Sequence, residues 1–299
     1  MIEALDANRQ PGLLDALAGH ERRFLDAYPD VARRLDPVRI REQIERRLAA
    51  VIPEQRPMPH LVVNDLLDPD FYRMLEAAWP ADEIFRRDSR GRKLDLVPTT
   101  DAAAADARNV GYELLPGALR AVWDFFVFVV NRQIVGPWLA RVFHSEIAER
   151  LMLLQGAHAD GLIAYPIARS GDWSYRANVG RFMIRGNGYV LKPHLDSAPY
   201  LVTALMYFPI PGQDEGFGTI LYTPRQPLEF KTFVKRGSTE YFAEAGIECD
   251  EAVRVPYRPN TLLAFPNTLT AAHGVVAPEI GYRRVFQYHL SLKGDDEKV

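Results

Sequence analysis

A change of texture near Leu151 constrains this chain more than any other feature. Before it, apolar residues recur at three- and four-residue spacing within stretches rich in Ala, Leu, Arg and Glu, the pattern of amphipathic helices. After it, short runs rich in Val, Ile, Tyr, Phe and Thr alternate with Gly and Pro turns, at 181–184, 203–208, 219–223, 262–265 and 285–292. Many short strands separated by turn signals predict a β-sandwich or barrel. A sheet must bury its apolar face, and the preceding helices are available to cover it. The expected class is therefore α+β, helices first and then an antiparallel β-core.

Within the helical part, residues 15–51 read as two amphipathic helices split near Tyr28-Pro29 and Asp36-Pro37, where proline ends one helix or opens the next. A linker over 53–59 holds Pro53, Pro57 and Pro59, and a short strand follows at 60–64. Asp68-Pro69-Asp70 supplies the capping Asp and the proline that open a helix over 71–79. Helical patterns resume over 117–133 and 137–150. The most apolar stretch, 121–130, contains Asp124 and is too short to span a bilayer. Its Val122, Phe125, Phe126 and Val129 recur at helical spacing, which predicts a core helix. Residues 155–180 lack regular signals and are expected to form a lid, and 231–249 reads as a second insertion of mixed character. The predicted layout is an N-terminal helical extension over 1–52 and a domain over 53–299. Within that domain, helical support covers about 59–150 and the β-core about 151–292.

Composition narrows the functional classes. Lys plus Arg number 36 against 39 Asp plus Glu, a net charge of −3, so no basic footprint points to nucleic acid or an anionic membrane. The single cysteine, Cys249, excludes an internal disulfide framework and a Cys-rich metal site, and fits a reducing cytoplasm. The first residues, Met1-Ile2-Glu3-Ala4-Leu5-Asp6, lack the basic-then-apolar order of a secretory signal. A soluble cytoplasmic protein is expected, with no membrane or nucleic-acid partner. Its N-terminal helices would be either a homodimerisation arm or a cover for the β-core.

Of the seven histidines, two stand in unusual company. His194-Leu195-Asp196 follows a Gly-rich turn (Gly186-Asn187-Gly188) and the strand-like Tyr189-Val190-Leu191. Residues two apart in a strand share a face, so an imidazole and a carboxylate are presented to one point. His273 comes after the buried-looking strand 262–265 and a short connection. Two histidines and one carboxylate make a facial triad with three open positions, as iron(II) oxygenases need for cosubstrate and O2. An HxD tripeptide alone also occurs on ordinary surface turns. Here it belongs to an ordered set that ends in Arg283, ten positions after His273 at the start of the last strand. A strand-borne guanidinium can hold a carboxylate through two parallel hydrogen bonds.

These residues resemble those of a known family. The stretch 186–292 is similar to the double-stranded β-helix (jelly-roll) core of iron(II)/2-oxoglutarate-dependent dioxygenases, in particular the prolyl-4-hydroxylase-like branch. The similarity runs through His194-x-Asp196, Thr203-Ala204-Leu205-Met206-Tyr207-Phe208, Gly216-Phe217-Gly218-Thr219, the stretch 260–265, His273-Gly274-Val275 and Pro278-x-x-Gly281-x-Arg283. Residues 59–67 also resemble the opening strand of such proteins. The resemblance implies iron(II) ligands at His194, Asp196 and His273, and a 2-oxoglutarate C5-carboxylate anchor at Arg283. Tyr207 and Thr203 would lie on the wall near that carboxylate. It further implies O2 as oxidant, release of succinate and CO2, and hydroxylation of an unactivated C–H bond, with no catalytic residue beyond the metal centre.

This sequence departs from the family pattern in two places. The usual GGxT-like turn is reduced to Gly216-Phe217-Gly218-Thr219, and Arg284 directly follows Arg283. Only one arginine of an adjacent pair can face the site. Arg284, Phe286, Tyr288, Leu290 and Leu292 make a bulky apolar face, whereas Arg283, Val285, Gln287 and His289 make a more polar one, which selects Arg283.

Other readings stay open. His289 fits a substrate contact or a satisfied core histidine, and Trp173 with Tyr175 and Arg176 fits a substrate mouth or loop anchoring. Arg185 and Arg181 fit an anionic substrate group or a solvated edge. His20, His60, His144 and His158 read as structural or solvated, and Lys192 as an exposed strand charge. The substrate is expected to be a small molecule, such as an amino acid or natural-product intermediate, with a peptidyl or protein residue as the rival. From other classes, a cupin-like binding module with structural histidines or a zinc hydrolase would use the same scaffold.

Overall fold

The computed structural model describes residues 12–98, 111–160, 175–178, 180–236 and 239–292. Helices come first: α1 (Leu13–Ala27), the single turn α2 (Val31–Arg34) and α3 (Pro37–Leu48). Asp36 caps α3, its side chain accepting from the backbone N–H groups of Val38 and Arg39, which otherwise have no partner in a first turn. Leu13, Leu17 and Phe24 of α1 and Ile40, Ile44 and Leu48 of α3 are buried in the same hydrophobic cluster as the sheets. Polar contacts hold α1 in place too. Glu21 Oε1 accepts from Ala118 N at 2.8 Å, and His20 Nε2 lies 3.0 Å from Ala77 O. The N-terminal helices thus close the ends of their neighbours as a layer of the main core.

Next come α4 (Pro69–Ala77), capped by Asp68, and α5 (Gly117–Phe125). A break near Pro137 was expected, but the helix continues as a π-helical stretch (Phe126–Val135) into α6 (Gly136–Val142). Proline lacks an N–H and crowds the carbonyl four residues back. A wider turn before it accommodates the ring, and Arg41 Nη1 donates to Gln133 O in that turn at 3.4 Å. Helix α7 (His144–Ala159) runs into the segment expected to be an irregular lid. Buried Leu151, Leu154 and Ala157 keep its apolar stripe going for two more turns, so His158 sits on a helix. Among the described residues, no helix is long and apolar enough to cross a membrane.

The strands form two antiparallel sheets. The larger, eight-stranded sheet contains β1 (Leu61–Val63), β2 (Arg86–Arg87), β3 (Lys93–Leu96), β4 (Tyr175–Ala177), β5 (Arg181–Gly186), β7 (Tyr200–Tyr207), β11 (Leu262–Pro266) and β13 (Tyr282–Leu292). Its order is β1-β11-β7-β13-β5-β3-β2, with β4 on the far end of β13. The smaller sheet contains β6 (Val190–Leu195), β8 (Ile220–Pro224), β9 (Glu240–Tyr241), β10 (Cys249–Arg254) and β12 (His273–Val276), ordered β10-β8-β12-β6-β9. Between β8 and β10, the insertion supplies α8 (Phe230–Arg236) and the edge strand β9, which pairs with β6 at His194–Leu195.

One face of the large sheet carries the aromatic core. Phe182 and Phe286 pack on Trp123, with ring centroids 4.5 and 5.6 Å away, and Trp79 joins them from the end of α4. Because strand residues alternate, Arg181, Met183 and Arg185 on β5 and Arg283, Val285, Gln287 and His289 on β13 point the other way. That face is turned to the small sheet, as the Arg283–Thr219 and His289–Asp196 contacts show.

Candidate metal centre

The first two donors meet through strand pairing. His273 opens β12 directly opposite His194 on β6, with ring centroids 4.2 Å apart. The next pair is Val275 with Leu191, so two steps on β12 face three on β6. The extra residue is a bulge at Lys192-Pro193, a place where proline costs no ladder hydrogen bond. The bulge frees Lys192 O, which lies 2.9 Å from His194 Nδ1. His273 Nδ1 is matched in the same way by Ala271 O at 3.1 Å. A carbonyl can only accept, so both Nδ1 atoms donate and both Nε2 lone pairs face the site. Gly274 permits this close approach, since a Cβ there would lie 2.4 Å from Leu191 O.

Asp196 lies just beyond the end of β6, on a loop tied down by Asn267. That amide nitrogen donates to the carbonyls of Asp196, Ser197 and Tyr200 at 3.1, 3.1 and 2.9 Å. Asp196 Oδ1 is 3.7 Å from His194 Nε2, and Oδ2 is 3.6 Å from His273 Nε2. All three side chains are buried, and one donor atom from each lies within 4.8 Å of the others. Burial alone would raise the Asp196 carboxyl, but His273, with His194 and His289, overrides it and holds the group well below the usual carboxylate range. Burial, reinforced by neighbouring His194, pushes His273 down to about 4. A carboxylate beside a neutral imidazole with a free lone pair is the protonation state a divalent metal requires. Two N donors and one O donor, oriented by their backbone partners, fit iron(II) in a facial site.

Thr203 and His289 both address Asp196. Thr203 Oγ1 donates to Oδ2 at 2.5 Å, and His289 Nε2 is 3.6 Å from the same oxygen. Thr203 was expected beside the cosubstrate carboxylate. It lies instead at the metal end of β7, about 13 Å from Tyr207 along the strand. His289 stacks on Tyr200 with centroids 3.8 Å apart.

At the other end of the wall, Arg283 is buried. Its Nε donates to Phe217 O at 2.7 Å and its Nη2 to Thr219 Oγ1 at 3.0 Å, and it lies over the rings of Tyr207 and Tyr257. A guanidinium carries five N–H donors, more than these two bonds use. Tyr207 Oη donates to Thr219 Oγ1 at 2.9 Å. The reduced Gly216-Phe217-Gly218-Thr219 turn retains the glycine it needs, because a Cβ on Gly218 would overlap Val255 O. Arg284 points to the helical face, over Trp79. Its backbone is held at both N–H and C=O by one hydroxyl, that of Tyr257, at 2.7 and 2.8 Å.

The remaining candidates disperse. Arg185 is on the same face, but Asp95 pairs with it at 2.7 Å and the carbonyls of Leu94 and Ile184 accept from it. Its charge is thus matched within the sheet, which speaks against an anion-binding role. Trp173 lies outside the described residues. His60 is buried against Met58 O, while His144, His158 and Lys192 are exposed. Sequence reasoning missed Asn267, Thr219 and Tyr257 as supports. Thr219 was visible in the glycine turn, but an isolated Asn or Tyr gives no signal.

Neither a protein-family model nor a curated protein matches the chain. Among solved structures it is similar to a prolyl-4-hydroxylase from Pseudomonas putida, with 14% identity and a TM-score of 0.40, covering 82% of this chain and 98% of that one. It is also similar to a 2OG-Fe(II) oxygenase family protein from Burkholderia pseudomallei, with 10% identity, a TM-score of 0.38 and coverage of 83% and 89%. A prolyl 4-hydroxylase from Phytophthora capsici aligns at 14% identity and a TM-score of 0.41, covering 87% and 67%. At these values the likeness assigns nothing, and the chain's own residues must carry its function.

Proposed function

We propose that this chain is an iron(II)- and 2-oxoglutarate-dependent dioxygenase on a double-stranded β-helix, hydroxylating an unactivated C–H bond of a small molecule. The observation that carries this reading is the buried convergence of His194, Asp196 and His273 beside the sheet face that also holds buried Arg283. A structural role for the three donors would not call for both Nε2 lone pairs to be turned toward one carboxylate.

The chain's own groups divide the work by position. His194 and His273 are locked in one tautomer by Lys192 O and Ala271 O. Thr203 fixes one Asp196 oxygen, leaving the other free to ligate. Arg283, pinned by Phe217 O and Thr219, presents a guanidinium edge to the C5 carboxylate of 2-oxoglutarate. The aromatic layers around the wall exclude water, which strengthens each of these contacts. Iron(II) held here would supply the oxidation, in which O2 converts 2-oxoglutarate to succinate and CO2 and places one oxygen on the substrate carbon.

Anaerobic protein mixed with iron(II) and 2-oxoglutarate should show a weak visible charge-transfer absorption that His273→Ala abolishes. A binding module or a zinc hydrolase shows none. Succinate release across amino-acid, peptide and sugar libraries then identifies the substrate class. A response confined to peptides would replace the small-molecule substrate with a peptidyl one.

A further inference from the structure

Three arginines share the site face of β5 and β13, and their charges are handled differently. Arg185 is neutralised by Asp95. Arg283 has the cosubstrate carboxylate as its proposed partner. Arg181, half-buried at the start of β5, is held by an uncharged group. Its Nε and Nη2 both donate to Gln287 Oε1, at 2.9 and 2.7 Å. Among the described residues, no carboxylate pairs with it.

Its position is built by several contacts. Asn178 Oδ1 accepts from both Gly180 N and His289 N, at 3.1 and 3.0 Å, which ties the entry of β5 to β13 beside the metal centre. Gly180 has φ +75°, and a Cβ there would lie 2.7 Å from Gln287 O. Glycine therefore permits the close approach that sets Arg181 over Gln287. Gln287 is two residues from His289 along β13, about 7 Å, and His289 in turn reaches Asp196 at 3.6 Å.

A half-buried guanidinium whose acceptors among the described residues are neutral is poorly compensated, and an anion in contact with it restores the balance. We infer that Arg181, oriented by Gln287, is the substrate-binding residue for a carboxylate, so that the substrate is a small carboxylic acid such as a free amino acid. This deepens the oxygenase reading and rests on it. Arg283 takes the cosubstrate's carboxylate at one end of the wall, and Arg181 takes the substrate's at the other. Arg181 lies level with Gln287, one same-face step short of His289 along β13, so the reacting carbon is delivered beside His289.

The test is binding, measured by calorimetry and thermal shift with and without iron(II). Free amino acids, simple monocarboxylic acids and their primary amides are the probes, and 2-oxoglutarate is run in parallel. Wild-type protein should bind one or more acids and reject the matching amides. Arg181→Gln should weaken that binding roughly 30-fold or more, with partial recovery in Arg181→Lys, while 2-oxoglutarate affinity falls in Arg283→Gln instead. The inference is overturned if acids and amides bind alike, if no acid binds, or if Arg181→Gln affects 2-oxoglutarate rather than the acids. Should acid binding follow Arg181 while no iron–2-oxoglutarate absorption forms, the carboxylate site stands and the oxygenase reading falls. Melting temperatures of the variants close to wild type exclude misfolding as the cause.

Discussion

The two sheets differ in how evenly they are built. In the large sheet, every residue of β7 after Tyr200 is buried, as is all of β11, and register runs on without interruption through the heart of β13. In the small sheet, β6 alternates between exposed and half-buried until His194, and β10 is open to water along most of its length. Helices cover one face of the large sheet and the site lies on the other. The small sheet carries the two histidines at a bulge, beside an edge strand of two residues. Regular pairing thus supplies the wall, and a deliberate irregularity aims the donors. Damage to the first should appear as lost stability, and damage to the second as lost metal affinity.

The largest effect expected is on the large sheet. Phe182 is fully buried between Trp123, Trp79 and Phe286. Phe182→Ala should cost about 3–5 kcal/mol and lower Tm by on the order of 10 °C, while iron(II) affinity measured well below Tm stays near wild type. Calorimetry and a metal titration read the two quantities separately, and a parallel loss in both would erase the distinction between the sheets.

Gly274→Ala probes the small sheet. The added methyl meets Leu191 O at 2.4 Å and must push β12 off the bulge. A stability cost of about 1–3 kcal/mol is expected, less than for Phe182→Ala, but with a clear loss of iron(II) affinity. Unchanged affinity would mean that the bulge does not aim the histidines.

Thr203→Val crosses the comparison, since the residue lies on the large sheet but bonds to Asp196. Loss of about 10–100-fold in metal affinity is expected, with little change in Tm. A purely structural Thr203 would give the reverse.

The smallest effect lies in the helical layer. Burial raises the Asp124 carboxyl above its ordinary value, against the hydrogen bond from Tyr112 and the charge of Arg120. A raised carboxyl means the folded chain holds its proton better than the unfolded one. That contribution is complete below the unfolded value, about 4, and is lost as pH rises through the folded value. Asp124→Asn keeps an oxygen for Tyr112. It should therefore leave Tm unchanged at about pH 4 and raise it by a degree or two at about pH 8. Scanning calorimetry at both pH values checks the sign, and iron(II) affinity should not move.

The same contrast explains what was legible in the sequence. β7, β11 and β13 are apolar and regular, so the runs at 203–208, 262–265 and 285–292 announced them. The alternation along β13 also separated Arg283 from Arg284, because Phe286 and Tyr288 have to meet the helices. The small sheet was harder to read. The run 249–254 is polar, and its strand is visible only through its pairing with β8. His273 looked like the end of a connection, yet it is the cross-strand partner of His194. The bulge at Lys192-Pro193 depends on the partner strand and leaves no local signature. Helix α7 continues past 150 because its stripe meets a core that the sequence alone does not reveal.

The hydroxyl of Tyr257 has a consequence beyond the site it borders. It grips Arg284 by both backbone groups, at the point where two adjacent arginines make the last strand ambiguous. Were that strand to shift by one place, Arg284 would turn toward the cavity and Tyr288 would stand where His289 belongs, with the hydrogen-bond ladder otherwise intact. Such a molecule would lose Phe286 from the aromatic core as well as Arg283 from the site. A backbone clasp does not distinguish one residue from the next, so Phe286 and Tyr288 choose the arginine, and the phenol of Tyr257 fastens the strand in the place they choose.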